Sequence, residues 1–441
     1  MPATDHTLEG PWDDARIRDA ALRLRAHGGL VWLDADGASE AGRLLYLGAA
    51  PVETLRVPWG EDALQALAAL GHGGDHRPRW IGYVAYDAFW ARSHATPRME
   101  RGPWPVLLLH RYDALLEVDL RESTGRLIAD DEAALERAKA RLASEPSALG
   151  DVRVAALRVT PRATHAAAVE RAREHIAAGE VYQVNLARAW RGPFEGDALA
   201  LWMAMREASP VPLGLYVDGG DHQVLARTME RFLEWHPDGE GRGPIETRPI
   251  KGTIARGGDD DGEAAALRAD PKEHAEHAMI VDLVRNDLGR VAETGSVSVG
   301  EPFAVEPYAK LSHLVSTVQA TTRPGTDLAD VLRATFPPGS VTGAPKSSAL
   351  QIIEALEPVP RGAYCGAVGY VDGAGGLSLA VAIRTAFVGG DEVRYHAGGG
   401  LVWDSDPQRE VAETELKARV FLDALTTLRA GEPVPVSEER D

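Results

Sequence analysis

Cysteine is nearly absent from these 441 residues, with Cys365 the one example. A single thiol excludes an intramolecular disulfide and any metal cluster built from cysteines. Its setting, "AYCGAVGYV", is that of a small core residue rather than a reactive thiol. Positive charge is also in short supply. Lys and Arg total 47 against 66 Asp and Glu, a formal net charge of −19, which argues against nucleic acid or an anionic membrane surface as a partner. An anionic small molecule stays compatible with that balance if its site gathers positive charge locally. No apolar run approaches the ~18 residues of a membrane span. The opening "MPATDHTLEGPWDD" has neither a basic n-region nor an apolar core, so the expectation is a soluble, cytoplasmic chain.

What is present suggests sheets. Residues 29–120 carry apolar runs of strand length ("GLVWLD", "RLLYLG", "WIGYVAYDAFW", "WPVLLLHRY") separated by turn residues, then a helical pattern at "DEAALERAKARLAS". The short Ser, Pro and Gly-rich stretch "SEPSALGD", 144–151, is the candidate boundary. It divides a sheet-rich region, 1–150, from a region 151–441 that packs with it as one large domain. Beyond it come a helix at "THAAAVERAREHIAAGE", strands at "VYQVNLARAW", "LGLYVDG" and "HQVLART", and a long helix through "KEHAEHAMIVDLVRNDLG". Strands arrive in clusters rather than in strict alternation with helices, which favours α+β with large antiparallel sheets over a doubly wound parallel sheet. The acidic run "RGGDDDGE", 256–263, has consecutive aspartates rather than the alternate ones of a calcium loop and reads as a solvated loop.

Several stretches carry chemistry. In "ETRPIKGTIARG", Pro249 stiffens the backbone before Lys251 and Gly252 frees it afterwards, a way to aim one amine. "FPPGSVTGAPKSS", 336–348, resembles a phosphate cradle. However, three residues rather than four separate Gly339 from Gly343, and Ala344 and Pro345 intervene before Lys346, so it is not a nucleotide P-loop. In "HAGGGLVWDSDPQREVAETELKAR" a triple glycine precedes a helix on which Glu413 and Lys417 share a face. A second helix carries Glu273 and Glu276, the latter near its buried side. Carboxylates from two helices suit Mg²⁺, which is held by one or two of them and leaves positions for an anionic substrate.

Taken together, "GEVYQVNLAR", "RPIKGT", "EHAMIVDLVRNDLGRV", "LSHLVSTV", "FPPGSVTGAPK", "AYCGAVGYV", "AIRTA" and "AGGGLVWDSDPQREVAETELKAR" resemble the chorismate-utilising enzymes, most closely the aminodeoxychorismate branch. The likeness runs from about 160 to 425 and thins to "RWIGYVAYD" before 150. It implies an α/β sandwich, two large antiparallel sheets face to face with helices outside. It also implies Mg²⁺ on Glu276 and Glu413 with Lys417 nearby. The enolpyruvyl carboxylate would be held by Arg384, Tyr364 and the amides of Gly398, Gly399 and Gly400, arginine being suited to carboxylates by its planar fork. His313 and Ser340 match the family's active-site histidine and hydroxyl, and Glu230 matches its acid or base toward the C4 hydroxyl. Here Glu230 follows Thr228 and Met229 where the family usually has Ser-Pro, and the loop "HPDGEGRGP" after it is long for the family.

Two positions choose among the family's reactions. Where water-using members carry a lysine base this chain has Gln183, and an amide cannot serve as that base. Where anthranilate synthases usually have alanine this chain has Lys251, the mark of the aminodeoxychorismate branch. The resemblance therefore implies amination of chorismate at C4 by ammonia, supplied from glutamine by a separate amidotransferase subunit, for para-aminobenzoate and folate synthesis. It also brings in tryptophan as a candidate occupant of a structural or regulatory site. Anthranilate synthase component I, and a non-catalytic regulatory relative, are the alternatives.

Overall fold

The computed structural model describes residues 4–37, 42–70, 74–88, 102–255, 271–300, 302–307, 311–439 and the isolated positions 262, 265, 267 and 269. The acidic run 256–263 thus lies outside the described residues except at 262, as does the side chain of Glu273.

Two large sheets dominate. The first runs, edge to edge, through Thr4–Leu8, Thr124–Ala129, Ala114–Asp119, Leu44–Gly48, Val31–Asp34, Leu213–Asp218, His222–Thr228, Thr385–Gly389, Glu392–Leu401, Gln183–Pro193, Leu157–Val159 and Val436–Glu438. The second runs through Ser298–Val299, Val318–Thr321, Pro244–Thr247, Arg231–Trp235, Leu377–Val381, Ala367–Asp372, Pro78–Val84, Leu107–Arg111 and Glu53–Val57. Pairing is antiparallel throughout both, save the contact of Leu157–Val159 with Val436–Glu438. Each sheet takes strands from both sides of 144–151: Val31–Asp34 pairs with Leu213–Asp218, and Pro78–Val84 with Ala367–Asp372.

The period-two alternation of a strand sorts side chains to opposite faces. Val31, Val217 and Val224 of the first sheet share one core with Tyr83, Leu107, Trp235 and Leu379 of the second, so the sheets pack face to face. Trp32, next to Val31, points the other way into a second core. There it meets Trp202 at 4.7 Å between ring centroids, and the helices Asp14–Arg25, Glu132–Leu142, Ala198–Ala208 and Pro407–Leu428 cover that face. Much of the acidic excess is put to local use. Asp13, Asp62, Asp131, Asp197, Asp327 and Asp406 each cap a helix by accepting from free N–H groups of its first turn, a bond whose loss costs about 0.5–2 kcal/mol. No helix among the described residues is long and apolar enough to cross a membrane.

The ends of Val31–Asp34 and His222–Thr228 are locked by charge. Asp34 is buried, accepts from Arg206 Nε at 2.9 Å and pairs with the buried Arg227, which also donates to the Ser209 carbonyl at 3.1 Å. Removing one partner of a buried pair strands the other charge, at a cost of about 3–5 kcal/mol. Asp34→Ala should therefore lower the thermal unfolding temperature by several degrees. An unchanged melting curve would show that the pair does not carry this corner of the fold.

Candidate active site

The chain crosses from one sheet to the other at two adjacent corners. Strand His222–Thr228 lies in the first sheet and Arg231–Trp235 in the second, and Glu230 sits in the corner between them. Strand Leu377–Val381 lies in the second and Thr385–Gly389 in the first, with Arg384 in the return corner. Backbone bonds tie the two: Val381 N–H donates to the Glu230 carbonyl at 2.9 Å and Arg227 N–H to the Arg384 carbonyl at 3.3 Å. The Thr228 hydroxyl accepts from Glu230 N–H at 3.2 Å, so the Thr-Met sequence supplies its own bond to close the first corner. Arg384 takes the left-handed region, φ +52°, at a cost of roughly 1–2 kcal/mol for a residue with a Cβ.

Glu230 is 6% exposed, and Ser340 Oγ donates to its Oε1 at 2.5 Å. Burial pushes its carboxyl up to about 7, while the Ser340 hydrogen bond and the charges of Lys251 and Lys417 pull in the opposite direction. A carboxyl balanced near neutrality can give and take a proton at working pH.

Lys251 lies on Ile250–Ala255, paired with Leu311–Val315, and the register slips between Lys251 and Thr253. Gly252 occupies the slip at φ +68°, a backbone shape suited to glycine in a bulge that re-aims the neighbouring side chain. The lysine ends above Gly400: a Cβ there would fall 2.9 Å from Lys251 Nζ and 2.5 Å from Gln183 Nε2. Gln183 is wholly buried, and neither Nε2 nor Oε1 has a hydrogen-bond partner. Asn185 Oδ1, two residues along the same strand face, has none either. Buried amides are normally satisfied, so this row marks where a polar ligand completes the site.

The glycine strand separates two chemistries. Successive strand residues face opposite ways, and a Cβ on Gly399 would fall 3.0 Å from Glu413 Oε1 and 3.3 Å from Glu410 Oε2. Lys417 Nζ donates to Glu413 Oε1 at 2.6 Å and to the Gly398 carbonyl at 2.9 Å. The run Gly398–Gly400 pairs with Asn185–Ala187 on one edge. On its other edge the ladder to Thr385–Gly389 stops at Ala386 opposite Tyr395, so that backbone edge is open toward the site. Glu276 is half-buried on the helix Pro271–Gly289, which packs on the lysine strand. Two carboxylates converging where a Cβ would otherwise sit form a cradle that fits a small hard cation such as Mg²⁺.

His313 Nδ1–H donates to the Gly252 carbonyl at 3.2 Å, and burial, with the Arg384 charge nearby, lowers its pKa to about 4. The imidazole is therefore neutral at pH 7. Tyr364 is buried in aromatic surroundings. Its ring stacks on His396 at 5.3 Å and lines a cavity with Trp59, Tyr83, Trp104 and Phe387, and no hydrogen bond, ion pair or ring contact among the described residues joins it to Arg384. Lys346 is a structural tie, donating to Asp287 at 2.8 Å and to the Thr335 carbonyl at 2.6 Å. Sequence reasoning missed Glu410, Asn185 and His277. His277 is buried, bonded through Nε2 to Ser316 Oγ at 2.6 Å, and its pKa is lowered to about 4 by burial with Lys251 close by. All three lie within motifs already singled out, but only the fold shows that they face the site.

The family described as chorismate binding enzyme matches residues 35–423. The chain belongs to that family. It is 36% identical to an aminodeoxychorismate synthase of Streptomyces griseus over 93% of its own length and 57% of the relative's. It is 43% identical to anthranilate synthase component 1 of Aquifex aeolicus (strain VF5) over 58% of this chain and 52% of the other. It thus spans little more than half the length of these relatives. The crystal structure of anthranilate synthase component I from Streptococcus pneumoniae TIGR4 superposes with a TM-score of 0.75 at 29% identity, covering 87% of this chain and 93% of that one. Lys251, Lys417 and Arg384 place positive charge at this site in an otherwise acidic protein.

The raised Glu230 pKa has a stability consequence. Its folded value, about 7, exceeds the reference 4.5, so the group contributes stability below about 4.5 that is lost as pH rises through 7, on the order of 3 kcal/mol. Between those limits wild type should lose thermal stability relative to Glu230→Gln, while Ser340→Ala, lacking the bond that favours the carboxylate, should extend the loss to higher pH. Parallel pH profiles for wild type and Glu230→Gln would contradict a raised pKa.

Proposed function

We propose that this chain is the aminating component of a 4-amino-4-deoxychorismate synthase, converting chorismate and ammonia to 4-amino-4-deoxychorismate. The observation that carries the reading is the position of Lys251 Nζ above Gly400, beside the unpartnered Gln183 amide. An amine there is a candidate nucleophile, whereas an amide in place of a base disfavours water activation. The Streptomyces griseus relative, matched over 93% of this chain, supports it. Anthranilate synthase is the second reading, favoured by the higher identity to the Aquifex aeolicus relative over a shorter span.

In the proposed sequence Lys251 attacks C2 of the ring as the double bonds shift and the C4 hydroxyl leaves as water with a proton from Glu230. Ammonia then adds at C4, the electrons return, and the C2–N bond to Lys251 breaks. Ser340 holds the Glu230 carboxyl in place, and Arg384 offers its fork to a substrate carboxylate. Glu413 and Glu276, the pair the family resemblance implies, would hold Mg²⁺, which when bound would neutralise the ring carboxylate and help orient the substrate. The one thiol of this chain, Cys365, is fully buried with its pKa pushed up to about 12, which unfits it as a glutaminase nucleophile. The ammonia is therefore assigned to a separate glutamine amidotransferase unit.

Two experiments test this. Incubated with chorismate, Mg²⁺ and an ammonium salt, the chain should form the 4-amino product, and glutamine alone should not replace ammonium. With ammonia omitted, mass spectrometry of the quenched protein should find a ring adduct on the Lys251 peptide that is absent from Lys251→Ala. Undiminished 4-amination by Lys251→Ala would reduce the lysine to a positioning role, and 2-amination by wild type would favour anthranilate synthase. Separately, Glu413→Gln and Glu276→Gln should each raise the Mg²⁺ concentration needed for half activity by at least tenfold, on the order of 1.4 kcal/mol. An unchanged Mg²⁺ titration in both would remove the carboxylates from the metal site.

A further inference from the structure

At the far end of strand Arg231–Trp235 from Glu230, about 17–20 Å along it, three segments meet. His76 precedes strand Pro78–Val84, His236 opens the long loop 236–243, and Asp372 ends strand Ala367–Asp372. His76 Nδ1 lies 2.9 Å from Asp372 Oδ2, and one ligand atom from each of the three residues lies within 4.8 Å of the others. The two imidazoles meet edge to face, with centroids 5.6 Å apart. Among the described residues no other group of three His, Cys, Asp or Glu side chains is so disposed.

We propose that His76, His236 and Asp372 form a binding site for a zinc-type divalent cation that clips the loop 236–243 to the turn between Ala367–Asp372 and Leu377–Val381. Asp372 is the fixed member. It is 3% exposed, and its Oδ1 accepts from Gly376 N–H at 2.6 Å. Gly376 leaves the room this needs, since a Cβ there would fall 2.7 Å from Asp372 Oδ2 and 2.5 Å from the Trp235 carbonyl. A buried carboxylate needs a compensating charge, and His76 is the side chain that meets it among the described residues. The two histidines are the exposed members, their side chains 52% and 42% exposed. Ligands at about 2.0–2.1 Å around a tetrahedral ion stand roughly 3.3 Å apart, so the required closure of 1–2 Å falls to residues at the surface, where a ring can swing. Glu234 Oε1 sits 3.2 Å from His236 Nε2. A carboxylate beside a ligating imidazole fixes the ring and raises its basicity.

Two imidazoles and one carboxylate select for zinc and its neighbours rather than for Mg²⁺ or Ca²⁺, which prefer oxygen throughout. Three protein ligands leave a fourth position for water. The ion would act by holding the loop 236–243, which joins the strand that begins after Glu230 to Pro244–Thr247 and so leads on to Lys251.

The test uses untagged full chain, dialysed to equilibrium against micromolar zinc in excess Mg²⁺ so that oxygen-ligand sites are competed, with bound zinc measured by elemental analysis. Wild type should retain about one equivalent and melt at a higher temperature with zinc than without. His76→Ala and His236→Ala should each bind at least tenfold more weakly and lose the thermal shift, with circular dichroism confirming that both are folded. Absence of stoichiometric zinc on wild type, or its retention by the double variant His76→Ala, His236→Ala, would overturn the proposal.

Discussion

The site depends on two chain crossings that share hydrogen bonds. Where the backbone leaves one sheet for the other at Thr228–Arg231, and returns at Val381–Thr385, each corner supplies the bonds the other needs. A buried backbone group left unpaired costs as much as a lost hydrogen bond. Pairing the corners removes that cost and fixes the backbone at the buried Glu230 and at the half-buried Arg384. The left-handed backbone of Arg384 is the remaining strain, and it persists because the bonds on either side of it over-determine the turn.

Around this double corner the protein sets opposing electrostatic demands. Burial alone would keep Glu230 protonated; the Ser340 hydroxyl and two lysine charges draw it back to about 7. The glycine strand makes that balance geometrically feasible. Without side chains it is thin enough for Lys251 and Gln183 to approach one face at Gly400 while Glu410 and Glu413 approach the other at Gly399. A methyl at Gly400 would displace the Gln183 amide and the Lys251 amine, whereas one at Gly399 would ask only a small adjustment of the Glu413 and Glu410 carboxylates. Part of the acidic excess elsewhere serves as helix caps and as partners of arginines, as at Asp34 with Arg227.

The fold class was legible because alternating apolar runs arrived in clusters, and most strands and helices expected from those runs are present. The aim of Lys251 was legible as well: Pro249 and Gly252 signalled a special backbone, and the structure makes Gly252 the bulge residue. Other features were not legible. Glu410 was not singled out, since nothing local separates it from Glu415, which pairs with Arg188 and Arg162. The packing of Tyr364 on His396 was not legible either, because that stacking partner comes from a distant strand.

By itself the sequence determined most of the elements, the excess of acid over base, the candidate nucleophile, acid and metal ligands, the backbone freedom at Gly252 and the absence of side chains at Gly398–Gly400. These are local properties, written in side-chain chemistry and in the presence or absence of a Cβ. Only the tertiary structure decided that Glu230 is buried enough to titrate near neutrality, that Gln183 and Lys251 converge over one glycine, and that His76, His236 and Asp372 meet. Proton affinity depends on how much water the fold excludes, and convergence depends on strand register between segments as many as 296 residues apart, which no short-range pattern encodes.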